Sequence, residues 1–185
     1  MYQPGDLNGK MLLAMPQMKS RIFRKSVIYV HTDDADGSLG FITNFQMEQT
    51  QAEAWSEEIG WHYPSRIYHG GPVDSHMGFV LHSNDYIQNS TVRLNDSISY
   101  TAGKSILHDI DRGIGPMDVA LIVGYCAWKP GQLAQEVANG DWRVADYDDE
   151  FFFSDYSEKS EGWERAIEID AEHFLQKIKK QIDIK

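Results

Sequence analysis

Residues 68 to 82, YHGGPVDSHMGFVLH, hold the densest group of side chains capable of chemistry in this chain. Two adjacent glycines, a proline and three of the seven histidines lie within this stretch. Glycine adopts backbone conformations closed to other residues and exposes main-chain amides, and histidine exchanges a proton or binds a metal near neutral pH. The stretch is therefore either a reaction centre or a tight connection between two strands.

A metal site is the first chemistry to weigh. His69, His76 and His82 would converge if the stretch formed a hairpin. However, no histidine in the chain has the H-x-H or H-E-x-x-H spacing of a metal-binding pair. Surface exposure and local hydrogen bonding are the favoured interpretation of these histidines, so the sequence assigns no metal and no cofactor.

Acid–base or nucleophilic catalysis is the second kind of chemistry that these residues suggest. It would require His82 or His69 beside Cys126, Asp74 or Tyr125, within hydrogen-bonding reach. Cys126 precedes a predicted helix whose N-terminus would lower a thiol pKa, yet a single free cysteine is usually a small buried hydrophobic residue. An enzyme is thus an alternative without an assigned catalytic residue.

Ligand binding through main-chain amides is the third. Gly70, Gly71 and Pro72 form one glycine segment. A second one, which includes Gly124 and Gly131, brackets the exit of the most hydrophobic run. Such exits form ligand crevices in open α/β sheets, and Tyr125, Trp128 and Gln132 would help to hold a small anionic or amide ligand. The alternative is that these glycines only allow strand and helix to pack closely.

Composition and the absence of known motifs argue against several other classes of protein. The formal net charge of −11 argues against nucleic-acid binding, since that affinity comes mainly from Lys and Arg. Phosphate-loop, dinucleotide and nucleophile-elbow motifs are absent, and one cysteine cannot form an internal disulfide. Without an apolar run of membrane-spanning length, we expect a cytoplasmic protein.

Hydrophobic periodicity predicts the elements that position these residues. Alternating and β-branched residues predict a hairpin over residues 26–44, and DVALIVGYCAW, residues 118–128, predicts a central strand covered on both faces. A period near 3.6 predicts a helix from about 51 to 59, with Thr50 and Glu53 in the form of a capping box. A longer amphipathic helix is predicted from about 158 to 182.

Strands and helices alternate with hairpin signals between them. This pattern predicts an α/β (α+β mixed) fold with a mixed sheet, in a single compact domain over residues 1–185. A purely parallel sheet is not expected.

Three segments carry a resemblance to a known family. They are LLAMPQM…IFRKSVIYVHTDDADGSLGFITN, YHGGPVDSHMGFVLH and VALIVGYCAWKPGQLAQEVANGDW, in this order. The chain resembles the bacterial AlgH/YqgE family from about Leu12 to Trp142. The resemblance implies a mixed sheet curled into a pseudo-barrel with flanking helices. Members are often called transcriptional regulators, and no reaction is established for the family.

The resemblance carries over positions without assigning any of them a catalytic role. They are Asn44, Gly70, Gly71, Pro72, Val73, Gly78, Leu81, His82, Gly124, Tyr125, Trp128, Gly131, Gln132 and Leu133. This chain departs from the family after Asn44, where Phe45 and Gln46 replace the usual Arg-Pro pair. If that arginine contacts an anion, the contact is missing here.

The leading interpretation is a regulatory or small-ligand-binding protein rather than an enzyme, with a small molecule or a protein as partner. Direct DNA binding ranks last, because no helix-turn-helix is recognisable in an acidic chain. Neither nucleic acid nor membrane is an expected partner, and the sequence sets no oligomeric state. The candidate ligand-binding residues are Asn44, His69, Gly70, Gly71, Pro72, His82, Gly124, Tyr125, Trp128, Gly131 and Gln132.

Overall fold

The computed structural model describes residues 2–63, 66–148, 151, 153, 154, 156 and 158–182. The strands are β1 (Met11–Ala14), β2 (Val27–Asp34), β3 (Gly37–Ile42), β4 (Ile67–His69), β5 (Val73–Ser83), β6 (Thr91–Arg93), β7 (Ile98–Ala102), β8 (Val119–Trp128) and β9 (Trp142–Ala145). The helices are α1 (Gln49–Ile59), α2 (Ser105–Asp111), α3 (Gln132–Ala138) and α4 (Lys159–Ile182).

The strands form one sheet, in the order β6-β7-β5-β8-β3-β2-β1-β9, with β4 also paired to β8. Every pairing is antiparallel except that of β4 with β8. The sheet is curled into a half-barrel. Because it contains one parallel pairing and has helices packed on both faces, the predicted mixed α/β class is confirmed. The central position predicted for residues 118–128 is also confirmed, because β8 pairs with β5 at one edge and with β4 and β3 at the other.

Three helices cover one face of this sheet. Leu133 of α3 packs with Ile28 and Cys126, and at the other end of this face Ala52 of α1 and Ile106 of α2 pack around β5 and β8. These contacts bury every second side chain of the strands, the ones that point toward the helices, as expected when helices cover one face of a sheet. The strands are thereby fixed in one register.

The opposite face is covered at one end by α4. Ala166 and Ile169 pack against Met11, Leu13 and Val27 of β1 and β2. This agrees with the amphipathic helix predicted from about 158 to 182. The sequence also predicts that the phenylalanines of residues 151–153 anchor the acidic segment before this helix to the core. Phe151 is 1% exposed, and Phe152 lies outside the described residues.

The far end of that second face carries a different cluster. Tyr29, Phe41, Leu81 and Ile122 are buried there, and further aromatic rings lie beside them with part of their surface exposed. We call the connected rings His31, Phe41, Phe79, Tyr100 and Tyr125 the aromatic face.

The capping box predicted at Thr50 and Glu53 is wrong. Helix α1 begins two residues earlier than the periodicity predicted, with Glu48 in the N-cap position and no side-chain cap hydrogen bond. Thr50 therefore lies inside the first turn, where its hydroxyl cannot act as the N-cap. Gly60 ends the helix in a left-handed conformation, at φ 74°.

None of the helices in the described part of the chain is both long and apolar enough to span a membrane.

Candidate functional site

The stretch 68–82 is not a hairpin, because its two strands lie at opposite edges of β8. His69 of β4 is aligned with Val123 at one edge, and Val73 of β5 is aligned with Tyr125 at the other. Between them, Gly70, Gly71 and Pro72 carry the chain across the backbone of β8. We call this contact, residues 70–72 over residues 124–125, the glycine crossing.

Glycine is required at this crossing by contact distance. A Cβ atom on Gly70 would lie 2.2 Å from Ile122 Cγ2, and one on Gly71 would lie 2.2 Å from the carbonyl carbon and oxygen of Tyr125. On the other side, a Cβ on Gly124 would lie 2.6 Å from the carbonyl oxygen of Gly71. The two glycine segments of the sequence therefore meet backbone on backbone, and main-chain atoms fill the space between them.

The polar groups of Gly70 are already used by the fold. Its N–H donates to the carbonyl oxygen of Val123 at 2.8 Å. Its own carbonyl accepts the Ile42 N–H at 2.8 Å and the Cys126 thiol at 3.4 Å. The Gly70 amide is therefore a structural donor, and it does not point at a ligand.

Gly124 also reverses the alternation of β8. Val123 packs toward α1 and α2, whereas Tyr125 joins the aromatic face and Cys126 packs toward α3. Gly124 has φ 75°, a left-handed conformation that shifts the strand by one residue in the manner of a β-bulge. The shift places the Tyr125 side chain on the sheet face opposite to α1, α2 and α3.

Residues 74–77 of β5 loop out opposite this bulge, between Val73 and Gly78. Asp74 has φ 46°, which is uncommon for a residue with a side chain, and its carboxylate accepts a 2.9 Å hydrogen bond from Tyr125 Oη. That hydrogen bond raises the pKa of Tyr125. The tyrosine thus holds an exposed carboxylate at the margin of the aromatic face.

The rings of the aromatic face touch one another. The Phe79 centroid lies 5.4 Å from that of Phe41, 5.7 Å from that of Tyr100 and 6.4 Å from that of Tyr125. His31 lies 5.3 Å from Tyr100. Phe41 is buried beneath the group, while the other four rings are partly exposed.

Aliphatic side chains extend this surface at its borders. Leu39, next to Phe41 on the same side of β3, is 40% exposed, and Val92, paired with Tyr100 across β6 and β7, is 39% exposed. The result is a connected apolar surface on the sheet face that α4 covers only at its other end.

His82 lies away from the glycine crossing and is fully buried. Its Nε2 accepts a hydrogen bond from Thr101 Oγ1 at 2.9 Å, and its Nδ1 donates to the Ser83 carbonyl at 2.8 Å. We infer this tautomer from the carbonyl, which can only accept. Burial lowers the pKa of His82, so the ring is neutral and both nitrogens are occupied.

His69 and Cys126 lie near the glycine crossing, with Lys159 and Phe45 beside them. The His69 ring centroid is 4.9 Å from that of Phe45, and Lys159 Nζ lies 4.5 Å from the Phe45 centroid. Lys159 Nζ also donates a hydrogen bond to the Ile22 carbonyl. Burial raises the pKa of the Cys126 thiol to about 12 and lowers that of Lys159 to about 8. The thiol is therefore protonated and shielded, the opposite of an activated nucleophile.

Asn44 precedes Phe45 and is 1% exposed. Its Oδ1 accepts the Val27 N–H at 2.8 Å, and its Nδ2 donates to the carbonyls of Lys25 at 2.9 Å and Lys159 at 2.7 Å. The side chain ties the start of α4 to β2. Where the family pattern has Arg-Pro, Phe45 fills space between His69 and Lys159.

Trp128 and Gln132 lie beside a carboxylate on α3, the helix that has Gly131 as its N-cap residue, on the face opposite to the aromatic rings. Glu136 accepts hydrogen bonds from the indole of Trp128 at 2.9 Å, the indole of Trp142 at 2.8 Å and Gln132 Nε2 at 2.9 Å. The polar atoms of Trp128 and Gln132 thus stabilise the connection between β8, α3 and β9.

The structure therefore brings together only part of the predicted site. Gly70, Gly71, Gly124 and the Tyr125 main chain meet at the crossing, Pro72 lies exposed beside it, and Asn44 and His69 lie nearby. His82, Trp128, Gly131 and Gln132 lie elsewhere. Over the described ranges, no group of three or more His, Cys, Asp or Glu side chains is placed to bind a metal. A ligand-binding role for the full set stays a prediction.

Sequence reasoning missed most of the aromatic face. Of its five rings, only Tyr125 was singled out, for its place beside Gly124. A weak signal was present, because Leu39 with Phe41 and Phe79 with Leu81 occupy alternate positions of their strands. Alternation of this kind predicts one apolar face, and it does not tell whether a helix covers that face.

Comparisons with known proteins agree with the fold and with the resemblance. A family described as AlgH-like matches residues 11–171. A UPF0301 protein of Methylococcus capsulatus is 40% identical over 166 residues, covering 88% of this chain and 90% of the relative. A UPF0301 protein of Rickettsia rickettsii is 35% identical over 181 residues, covering 94% and 95%.

Two solved structures share the architecture. The solution structure of the AlgH protein from Pseudomonas aeruginosa matches with a TM-score of 0.73 and 26% identity over 92% of both chains. A crystal structure of a Corynebacterium diphtheriae protein matches with a TM-score of 0.67 at 21% identity, covering 88% of this chain and 86% of that one, and supports the fold alone. Since the family match covers most of the chain and relatives above one-third identity align nearly end to end, this chain belongs to the AlgH-like family.

Proposed function

We propose that this chain is a small-ligand-binding protein of regulatory type, located in the cytoplasm, and that the ligand binds at the aromatic face. The observation that carries the proposal is the group of connected, partly exposed rings on a sheet face that α4 covers only at its other end. Exposed apolar surface of this kind usually marks a site of interaction, and ligands often enter at the mouth of a curled sheet.

The chemistry of the surface supports a ligand with its own ring or apolar body. Phe79, Tyr100 and Tyr125 offer ring surface, and Leu39 and Val92 extend it. Tyr100 and His31, whose partly exposed rings lie 5.3 Å apart, carry a hydroxyl and an imidazole within the same group of rings. Few polar groups on a mostly apolar lining are typical of small-molecule sites.

Catalysis receives less support from the described residues. His82 has both nitrogens engaged, and the Cys126 thiol is buried with a raised pKa. Tyr125 is hydrogen-bonded to Asp74, a contact that keeps its hydroxyl protonated. No histidine is hydrogen-bonded to Cys126 or to Tyr125 among the side chains that the structure describes. Binding without turnover therefore fits the geometry better.

A titration with benzyl alcohol, a neutral ring-bearing probe, tests the proposal. In ¹H–¹⁵N correlation spectra we expect saturable shifts at residues of the aromatic face, with millimolar affinity because the probe is small. Tyr100→Leu keeps an apolar side chain while removing the ring, so it should weaken the probe by about threefold or more, within the range measured for aromatic contacts.

Phe174→Leu on α4 is the matched control, since Phe174 is an aromatic residue that is 56% exposed and lies outside the aromatic face. It should leave the titration unchanged. Shifts spread over all exposed apolar residues, or centred on α4, would contradict the proposal.

A further inference from the structure

The charges around the aromatic face differ from those around the other exposed rings. Lys25 Nζ lies 5.6 Å from the centroid of Trp163, and Lys159 Nζ lies 4.5 Å from that of Phe45. Within the described ranges these are the cations found over rings, and neither reaches the aromatic face. Its rings carry no bound cation from this part of the chain.

The titratable groups at the aromatic face leave it neutral to negative. Burial lowers the pKa of His31, so this ring is uncharged near neutral pH. Asp74 supplies an exposed carboxylate, held at the margin through Tyr125 Oη at 2.9 Å. Two partly exposed phenol rings and one benzyl ring therefore lie beside one negative charge.

Aromatic faces attract cations through their quadrupole, most strongly when the cation is poorly hydrated, as in a quaternary or alkylated ammonium. A nearby carboxylate adds to the attraction, and the net charge of −11 raises the local concentration of cations. An anionic ligand would meet none of these advantages at this surface.

We propose that the aromatic face, with Asp74 at its margin, binds a small organic cation that carries a quaternary or alkylated ammonium group. The proposal rests on the proposed function, because it names the class of ligand for the same surface. The rings would contact the alkyl groups, and the carboxylate of Asp74 would lie near the positive charge.

Choline chloride and 3,3-dimethylbutan-1-ol form the matched pair of probes, since they share shape and differ in one charge. In spectra at constant ionic strength, we expect choline to bind the aromatic face about tenfold more tightly than the alcohol, equivalent to about 1.4 kcal/mol. Asp74→Asn should weaken choline several-fold and leave the alcohol unchanged. Glu172→Gln, a change of charge on α4, is the control and should affect neither probe.

The outcomes separate the two proposals. Equal affinities, or tighter binding of the alcohol, would overturn the cationic class while leaving a binding surface for apolar ligands. If neither probe shifts residues of the aromatic face but benzyl alcohol does, the cationic class is likewise wrong. Failure of all three probes would overturn both proposals.

Discussion

The glycine crossing and the aromatic face meet in one residue and have opposite character. At the crossing, main-chain atoms of Gly71 and Tyr125 lie so close that even a methyl group cannot fit between them. On the aromatic face, the Tyr125 side chain belongs to a group of rings that keep part of their surface exposed. The most distinctive sequence motif of this chain therefore builds the fold, while the exposed surface proposed to bind a ligand comes from ordinary strands.

The largest effect is expected at the crossing. Gly71→Ala places a Cβ 2.2 Å from two main-chain atoms of β8, which cannot rotate away as a side chain would. We expect a loss of at least about 3 kcal/mol in the free energy of unfolding, or failure to fold, as for severe overpacking of a core. Urea denaturation followed by circular dichroism measures it.

Gly131→Ala is the control for this prediction. Gly131 has φ 73° with no atom within 4 Å of the added Cβ, so only the backbone conformation is strained. Its cost should be about 1 kcal/mol. Similar losses in the two variants would show that contact at the crossing is unimportant.

An intermediate effect is expected when His82 is titrated. Its pKa in the folded protein lies below the ordinary 6.5, because burial disfavours the charged ring. Below pH 6.5 the unfolded chain therefore binds more protons than the folded one, and stability falls as the pH falls toward the folded-state pKa. The loss from this one group is at most about 1.4 kcal/mol per pH unit.

His82→Gln should flatten the stability profile below pH 6.5. Denaturation at several pH values measures both proteins, and the difference between them removes the contributions of His31 and His69, whose pKa values burial also lowers. Parallel profiles would mean that His82 accepts a proton without strain, and would make its buried hydrogen bonds a poor argument against acid–base chemistry.

Much of the fold was predictable because its signals are local. Alternation within residues 26–44 predicted β2 and β3, the unbroken apolar run of 118–128 predicted the central strand β8, and the 3.6-residue period predicted α4. Coverage of β8 on both faces was predicted too broadly, because Tyr125 is partly exposed and Ala127 is exposed. The start of α1 was misplaced because Thr50 resembles a cap by type, although the helix begins at Gln49. Helix ends depend on one or two residues and are easily shifted.

The candidate site was less predictable because it depends on strand order. Two strands joined by Gly70, Gly71 and Pro72 look like a hairpin in sequence. In the fold, β8 lies between these two strands, so the segment that joins them crosses the backbone of β8. Phe41, Phe79 and Tyr100 come from three strands that are distant in sequence and share one face through the curl of the sheet. No local pattern carries that information.

The smallest effect is expected at the Tyr125 hydroxyl. Tyr125→Phe removes the hydrogen bond to Asp74, but both groups are near solvent and water replaces the lost partner. The free energy of unfolding should change by less than about 0.5 kcal/mol, as for exposed substitutions elsewhere. The loop of residues 74–77, which loses its tether, should exchange its amide hydrogens faster.

Tyr63→Phe is the control, because Tyr63 is also an exposed tyrosine, with 44% of its surface accessible. It should leave hydrogen exchange at residues 74–77 unaltered. Denaturation and hydrogen exchange measured on the same samples distinguish the roles of one residue. A loss for Tyr125→Phe as large as that for Gly71→Ala would show that the side chain and the main chain of Tyr125 stabilise the fold together, because a purely surface hydroxyl cannot have so large an effect. If Tyr125→Phe leaves the free energy of unfolding unchanged and residues 74–77 exchange faster, then the main chain of Tyr125 stabilises the fold. Its hydroxyl then only holds Asp74 at the margin of the aromatic face.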